Sequence, residues 1–381
     1  MVNYPQVLFS FSKRLTFPRR YQRHCMSIAL AGLLSGCAAS PFLGNAEKVD
    51  ASQKVTTYFD YNLQSASGQD VSLSRFVEEI KDADVVLVGE WHTHTGIHRF
   101  QTELLQAMLA AGDDVTLSME QFTRDKQAVV NTYLAGEIGE GTLITQANAW
   151  PNYSSDYRPL VELAKTNNID IIAANAPKHL IRCIGKEGIS YVDKLPADQR
   201  TWLAANINTQ NSAYKTYFMA SMHHGDESQN EDKFAAQVTW DETMAESIVN
   251  YLADHSNSLL AGNSNTPLTD DLSKLSVGSR HKQVLHIAGK FHTENGLGTA
   301  ASILARAPEL KVVIVTPVDV TNSVTNSVTR SANSELTTGA KTSTDYRLQV
   351  ITPPKQFVTK ANMMASFKHL SKRNDKLTCI K

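Results

Sequence analysis

Four stretches of this 381-residue chain place proton-active or amide side chains directly after an apolar run. They are Gly89-Glu90-Trp91-His92-Thr93-His94 (with His98 one turn on), Met119-Glu120-Gln121, Ala174-Asn175-Ala176-Pro177-Lys178, and Gly289-Lys290-Phe291-His292-Thr293-Glu294. Carboxylates beside imidazoles can exchange protons, so Glu90, His92, Glu120 and His292 form a candidate acid–base set. With a divalent metal such as zinc, His92 and His292 would instead serve as ligands beside the acids, leaving a position open for a polarised water. A lone histidine or strand-end acid has a bland reading as a surface, core or helix-capping residue. The argument rests on convergence, because chance polar residues would scatter over both ends of a sheet. A further segment, Tyr214 to His224, puts Tyr214, Tyr217, Phe218, Met219, Met222, His223 and His224 close together. It is either the lining of an apolar ligand pocket or an amphipathic helix with core residues. Gln237 and Asp241, one helical turn apart, face either water or the site.

The elements that must carry these residues follow from hydrophobic periodicity. Continuous apolar runs at Asp84–Val88, Val115–Met119, Ile169–Ala174, Gln283–Ala288 and Val312–Val315 are strands of the kind buried on both faces. Helical spacing occupies Gly96–Leu109, Arg124–Leu134, Pro159–Thr166, the segment from Lys178, and Leu297–Ala307, with two or three further helices over Pro196–His255. The alternation predicts an α/β fold: a mostly parallel sheet with helices on both faces and an additional helical segment. In such sheets ligands sit beyond the carboxyl ends of the strands, which is where the four stretches fall. Polar insertions are expected at about 256–280 and 320–344, the second containing a Thr-Asn-Ser-Val near-repeat. Tyr346–Pro354 reads as a last strand.

Bulk properties bound the remaining possibilities. A formal net charge of -1 gives no electrostatic footprint for nucleic acid. No apolar run reaches the roughly 20 residues needed to span a bilayer. At the N-terminus, basic residues from Lys13 to Arg23 precede a short apolar stretch and Leu34-Ser35-Gly36-Cys37, which resembles a bacterial lipobox. That resemblance implies cleavage before Cys37 and its lipidation; Ala38 in place of Asp points to the outer membrane, with the domain facing the periplasm. The organisation expected is a signal peptide over 1–37, a tether over 38–55, an α/β domain over 56–355 and a tail over 356–381. Processing would leave Cys183 and Cys379 as the remaining thiols, and in an oxidising compartment such a pair often bridges.

A family resemblance adds to this. Gly89-Glu90-Trp91-His92 with His98 and Gln101, then Ser118 to Phe122, Trp150 with Tyr157 to Leu160, and Ala173 to Pro177 resemble the ChaN-like haem-binding uptake family of the Tiki superfamily. The likeness continues through Ala236-Gln237, Trp240-Asp241, Met244-Ala245, Ala288-Gly289, His292 and Gly296 to Gly298, covering about Val55 to Pro354. Two positions depart from the pattern: Ile97 stands where the family often has a second histidine, and Phe291 where it tends to have glycine. The resemblance implies a ChaN-like fold, haem as the cofactor, and a role in iron acquisition. Glu90, His92, His98, Glu120, Asn175, Lys178, His223, His224, His292, Tyr214 and Tyr217 become the haem-site candidates. A tyrosine ligand to iron would come from Tyr153, Tyr157, Tyr214 or Tyr217. Propionates could meet Lys178, His98 or Lys290, with Trp91, Phe122, Phe218 and Met222 as apolar walls. The partners expected are haem and the membrane, with a second copy of the chain and an outer-membrane haem receptor left open. Some superfamily members use the same strand-end residues for metal-dependent hydrolysis, so a hydrolase remains the alternative, and a scaffold with neither property a third.

Overall fold

Val85-Val-Leu-Val-Gly-Glu90 is buried at every position, so both faces of this segment are covered. The computed structural model describes residues 54–222, 225–262, 281–320, 345–371 and 377–381. In chain order its strands are β1 (Asn62–Gln64), β2 (Val85–Glu90), β3 (Asp114–Thr123), β4 (Ile171–Asn175), β5 (Lys282–Gly289), β6 (Val312–Asp319) and β7 (Asp345–Val350). Its helices are α1 (Leu73–Ile80), α2 (Thr95–Ala111), α3 (Gln127–Leu134), α4 (Glu140–Gln146), α5 (Arg158–Thr166) and α6 (Lys178–Glu187). They continue with α7 (Ala197–Arg200), α8 (Ala213–Ser221), α9 (Glu227–Gly262), α10 (Lys290–Thr293), α11 (Thr299–Arg306) and α12 (Lys360–Ser371).

The strands form one seven-stranded sheet in the order β1-β7-β6-β2-β5-β3-β4. Every pairing is parallel except that of β1 with β7. Alternation of side chains divides the core in two. Val86, Val88, Leu117, Met119, Leu285 and Ile287 face α1, α2 and α5 through Phe76, Ile97, Phe100, Leu104 and Leu160. Val85, Leu87, Val284, Ala288, Val312 and Ile314 face α9 and α11 through Met244, Ala245, Ile248, Ala300 and Ile303. The mostly parallel α/β sheet expected from the alternation is therefore present, with helices on both faces.

Several boundaries differ from the expectation. Helix α2 begins at Thr95, earlier than Gly96, because the His94 ring accepts from the Ile97 amide and caps the first turn; Gly112 in the left-handed region ends the helix. Helix α9 runs on to Gly262, so the first residues of the span read as a polar insertion are helical. Strand β7 ends at Val350 rather than reaching Pro354. Strand β1 has no counterpart in the periodicity, being only three residues long.

Residues 50–381 form one compact unit. A disulfide joins Cys183 on α6 to Cys379, with Cα atoms 5.7 Å apart, and Leu377 and Ile380 pack beside it against the cluster of Leu180, Ile184 and Tyr191. Among the described residues no helix is long and apolar enough to cross a membrane. Cys37 and the proposed leader, residues 38–53 of the proposed tether, His223 and His224, and the Thr-Asn-Ser-Val near-repeat lie outside the described residues.

Candidate functional site

Two buried carboxylates organise the strand-end edge, one on each face of the sheet. The first is Glu90, the last residue of β2, with a side chain wholly removed from solvent. Its Oε1 accepts from His92 Nδ1 at 2.9 Å, Tyr157 OH at 2.6 Å and Gln121 Nε2 at 3.2 Å, and its Oε2 from Gln101 Nε2 at 2.8 Å. Burial alone would raise its pKa. The His92 and Tyr157 hydrogen bonds and the nearby His98 and His92 rings outweigh burial and hold the carboxyl below the usual range. His98, one turn into α2, sets both ring nitrogens against oxygen acceptors: Gln101 Oε1 at 2.9 Å and the His92 carbonyl at 3.0 Å. That carbonyl also accepts from Asn152 Nδ2 at 2.8 Å. Asn152 caps and Tyr157 closes a π-helical turn at Tyr153–Tyr157, a local widening that recurs at functional sites.

The second is Asp241, fully buried on α9. It accepts from His292 Nδ1 at 3.0 Å, Tyr214 OH at 2.6 Å and Thr299 Oγ1 at 2.8 Å. Gln237, one turn earlier, donates to Tyr214 OH at 3.0 Å. Of the two environments left open for Gln237 and Asp241, the fold selects the site. Burial opposes a charge on His292, but the Asp241 and Glu120 carboxylates and the Asp241 hydrogen bond prevail and push its pKa up to about 9.

The two networks meet at Gly289 and Glu120. Glu120 Oε2 accepts from the Gly289 amide at 2.6 Å, and Oε1 lies 3.7 Å from His292 Nε2. On the other side, a Cβ on Gly289 would stand 2.8 Å from His92 Cε1 and 3.0 Å from Nε2, so the His92 ring lies directly over this residue. The His92 side chain is 46% exposed, whereas its partners are buried. Burial disfavours its charged form, yet the Glu90 hydrogen bond and the Glu120 and Glu90 charges raise its pKa overall. With Nδ1 engaged by Glu90, Nε2 is the nitrogen His92 offers to a ligand.

Glu90, His92, His98, Glu120 and His292 are thus brought together. Asn175 acts by shaping the loops: its Nδ2 donates to the Glu120 carbonyl at 3.0 Å and its Oδ1 accepts from Ala176 N at 2.8 Å. Lys178 is solvent-exposed at the start of α6 and enters none of these bonds. Lys290 pairs with Glu294, which also accepts from Tyr217 OH at 2.8 Å. Phe291 stacks on Tyr217 with centroids 5.4 Å apart and meets Tyr214 and Phe218. Together with Met219, Met222 and Leu297 these rings form an apolar wall beside His292. Trp150 stands edge-on to His92 at 4.9 Å on the opposite side. Phe122, expected as a wall, is instead a core residue beside Tyr153.

The four candidate tyrosines differ in setting: Tyr217 is only partly buried, with its OH on Glu294. Burial, and then the carboxylate each phenol donates to, raise the pKa of Tyr157 and Tyr214; Tyr153 is buried beside Phe122, and burial raises its phenol as well. Among the described residues no group of three or more His, Cys, Asp or Glu is arranged to hold a metal ion. Asn152, Asp156 and Thr299 are site residues that periodicity did not reveal; the Asn152-to-Asp156 spacing, bonded at 2.6 Å, is the one local signal they carry.

The family description "Haem-binding uptake, Tiki superfamily, ChaN" matches residues 76–264. Among solved structures, one described as cofacial haem binding to ChaN of Campylobacter jejuni aligns with a TM-score of 0.51 and 16% identity, over 77% of this chain and 98% of its own. The type III effector HopBA1 aligns with a TM-score of 0.32 and 12% identity, over 71% and 88% of the two chains. A succinoglycan biosynthesis protein aligns with a TM-score of 0.34 and 13% identity, over 70% and 73%. No curated protein matches the chain. The sheet, the strand-end cluster and the match over residues 76–264 lead to one assignment: the chain belongs to the ChaN haem-binding uptake family of the Tiki superfamily.

Proposed function

We propose that this protein binds haem at the carboxyl edge of its sheet and serves haem or iron uptake from the outer membrane, anchored through a lipid on Cys37 and facing the periplasm. The observation that carries the reading is His92: a half-exposed imidazole held through Nδ1 by a buried carboxylate, between Trp150 and a partly open aromatic wall. A carboxylate behind a ligating histidine fixes the ring and raises its basicity, which would suit a ligand to iron. The residues present therefore fit the group. Haem would supply the iron and the apolar macrocycle. His92 would hold the iron, Phe291, Tyr217 and Trp150 would shield the ring, and His292 would present Nε2 to a polar edge.

Hemin titration of the purified protein tests this. A saturable Soret shift is expected, weakened by His92→Ala and by His292→Ala, with thermal stability recorded for each variant. Full hemin affinity in His92→Ala would refute the assignment. A metal-free hydrolase is the second reading, favoured by the Asp241–His292–Glu120 arrangement, which could relay a proton at Nε2. Turnover of ester or amide substrates that is abolished by His292→Ala, without hemin binding, would establish it.

A further inference from the structure

The large apolar side chains exposed among the described residues are not scattered. Tyr58 (41%), Phe59 (62%), Phe357 (37%), Val358 (90%) and Met364 (48%) all belong to the segments just before β1 and just after β7. Antiparallel pairing makes these segments neighbours, because Asn62 opposes Gln349 and the chain before β1 therefore lies where β7 ends. Since β7 is parallel to β6, and β6 to β2, that end is the carboxyl edge, the one that carries the site. Contacts fix the placement: Tyr58 OH donates to the Thr352 carbonyl at 3.4 Å, His94 Nε2 meets the Ile351 carbonyl at 2.8 Å, and the Tyr58 and His94 rings lie 5.8 Å apart.

Charge on this rim is predominantly positive. Residues 351–364 contain Lys355 and Lys360 and no Asp or Glu, and Lys54 is exposed on the opposite segment. The one acid among residues 54–60 is Asp60, which accepts from Thr56 N, Thr56 Oγ1 and Thr57 N and stays ionised, so the rim sets three lysines against one carboxylate. Exposed aromatic and aliphatic side chains beside lysines in excess of acids are the composition that binds an anionic bilayer at its headgroup level.

We propose that the rim formed by residues 54–60 and 351–364 docks on an anionic lipid bilayer, so that the His92–His292 cluster opens toward the membrane surface. On the lipid-anchor reading, the 16 residues from 38 to 53 would reach at most about 55 Å and would join the domain at this same edge. A bilayer-facing site would exchange an apolar ligand with the lipid phase without a passage through water. The surface itself rests on the rim geometry and does not depend on which ligand the site takes.

Flotation of the Cys37→Ser full-length protein, without hemin, on vesicles of phosphatidylethanolamine and phosphatidylglycerol tests the proposal. The unlipidated chain is expected to float with these vesicles and to lose most binding at high salt or on pure phosphatidylcholine. Lys355→Glu/Lys360→Glu should weaken partition by roughly tenfold or more, and Phe59→Ser/Val358→Ser by a comparable factor, both with unchanged circular dichroism and unchanged hemin titration. Equal flotation of all variants, or flotation of none, would overturn the proposal. So would rim-dependent self-association in light scattering without vesicle binding, which would assign the rim to a second copy of the chain. Hemin titration is read separately, so failure of the haem reading would leave the flotation result intact.

Discussion

Gly289→Ala separates ligand binding from folding. Gly289 has φ -53 and ψ 141, a conformation open to any residue, so alanine brings no backbone strain and should gain about 0.4–1 kcal/mol from a less flexible unfolded chain. The added methyl would stand 2.8 Å from His92 Cε1, 3.0 Å from Nε2 and 3.5 Å from Glu120 Oε2. The nearest atoms are the far end of a half-exposed side chain, so the ring rotates away and the backbone stays. Rotation breaks the 2.9 Å bond from His92 Nδ1 to Glu90, a charge-assisted bond worth about 1.5–3 kcal/mol, while the other Glu90 donors remain. The net loss is about 1–2 kcal/mol, a fall of only a few degrees in the unfolding midpoint. Hemin affinity should drop about 10–100-fold, the range seen when the support of a metal-ligating histidine is removed. Hemin titration beside differential scanning calorimetry gives both numbers. Wild-type hemin affinity in a stably folded Gly289→Ala would refute the placement of His92 at the iron, and a large loss of stability would refute the claim that the ring can yield.

Three other outcomes follow from the same structure. Glu90→Gln replaces an acceptor of four donors with an amide whose NH2 must face some of them; a loss of about 3–5 kcal/mol in urea unfolding is expected. His292 keeps its proton up to about 9 in the folded protein against 6.5 as the ordinary value. The advantage of wild type over His292→Gln should therefore be complete below about pH 6.5, reach up to about 3 kcal/mol there, and disappear as pH rises through about 9. Cys183→Ser opens a loop of 196 residues and should cost about 2–5 kcal/mol, seen as a lower melting temperature and earlier proteolysis of residues 377–381; an unchanged melting temperature would show that the bridge adds nothing.

Much of this was legible in the residues. The run from Asp84 to Val88 reads as a strand covered on both faces, and the rule that ligands sit at carboxyl ends points to Glu90, His92, Glu120 and His292 as a set. Asp241 stayed ambiguous for a physical reason. Thr239, Asp241 and Thr243 on α9 are all fully buried, so polar residues line its inner side and polarity could not tell its faces apart. Tyr157 and Asn152 were hidden differently, because a π-turn shifts the helical register by a residue and breaks the spacing a reader would follow. The aromatic wall depended on Tyr217 meeting Phe291, 74 positions later (291 − 217), a pairing that only the fold creates. The Cys183–Cys379 bridge was an expectation from compartment and leftover thiols, and packing of Leu377 and Ile380 is what brings the two together.

The place of β1 in the sheet sets the order in which the molecule can be assembled. Its partner among the described strands is β7, and Asn62 must wait for Gln349, 287 residues later. A chain emerging from its N-terminus can close β2 and β3 onto β5 and β4 onto β3, but the first strand cannot join the sheet until the last has settled on β6. Pairings this distant in sequence fold slowly and leave edges exposed meanwhile. A chain truncated before Asp345 therefore loses two strands rather than one, and β6 becomes a bare edge available to other chains.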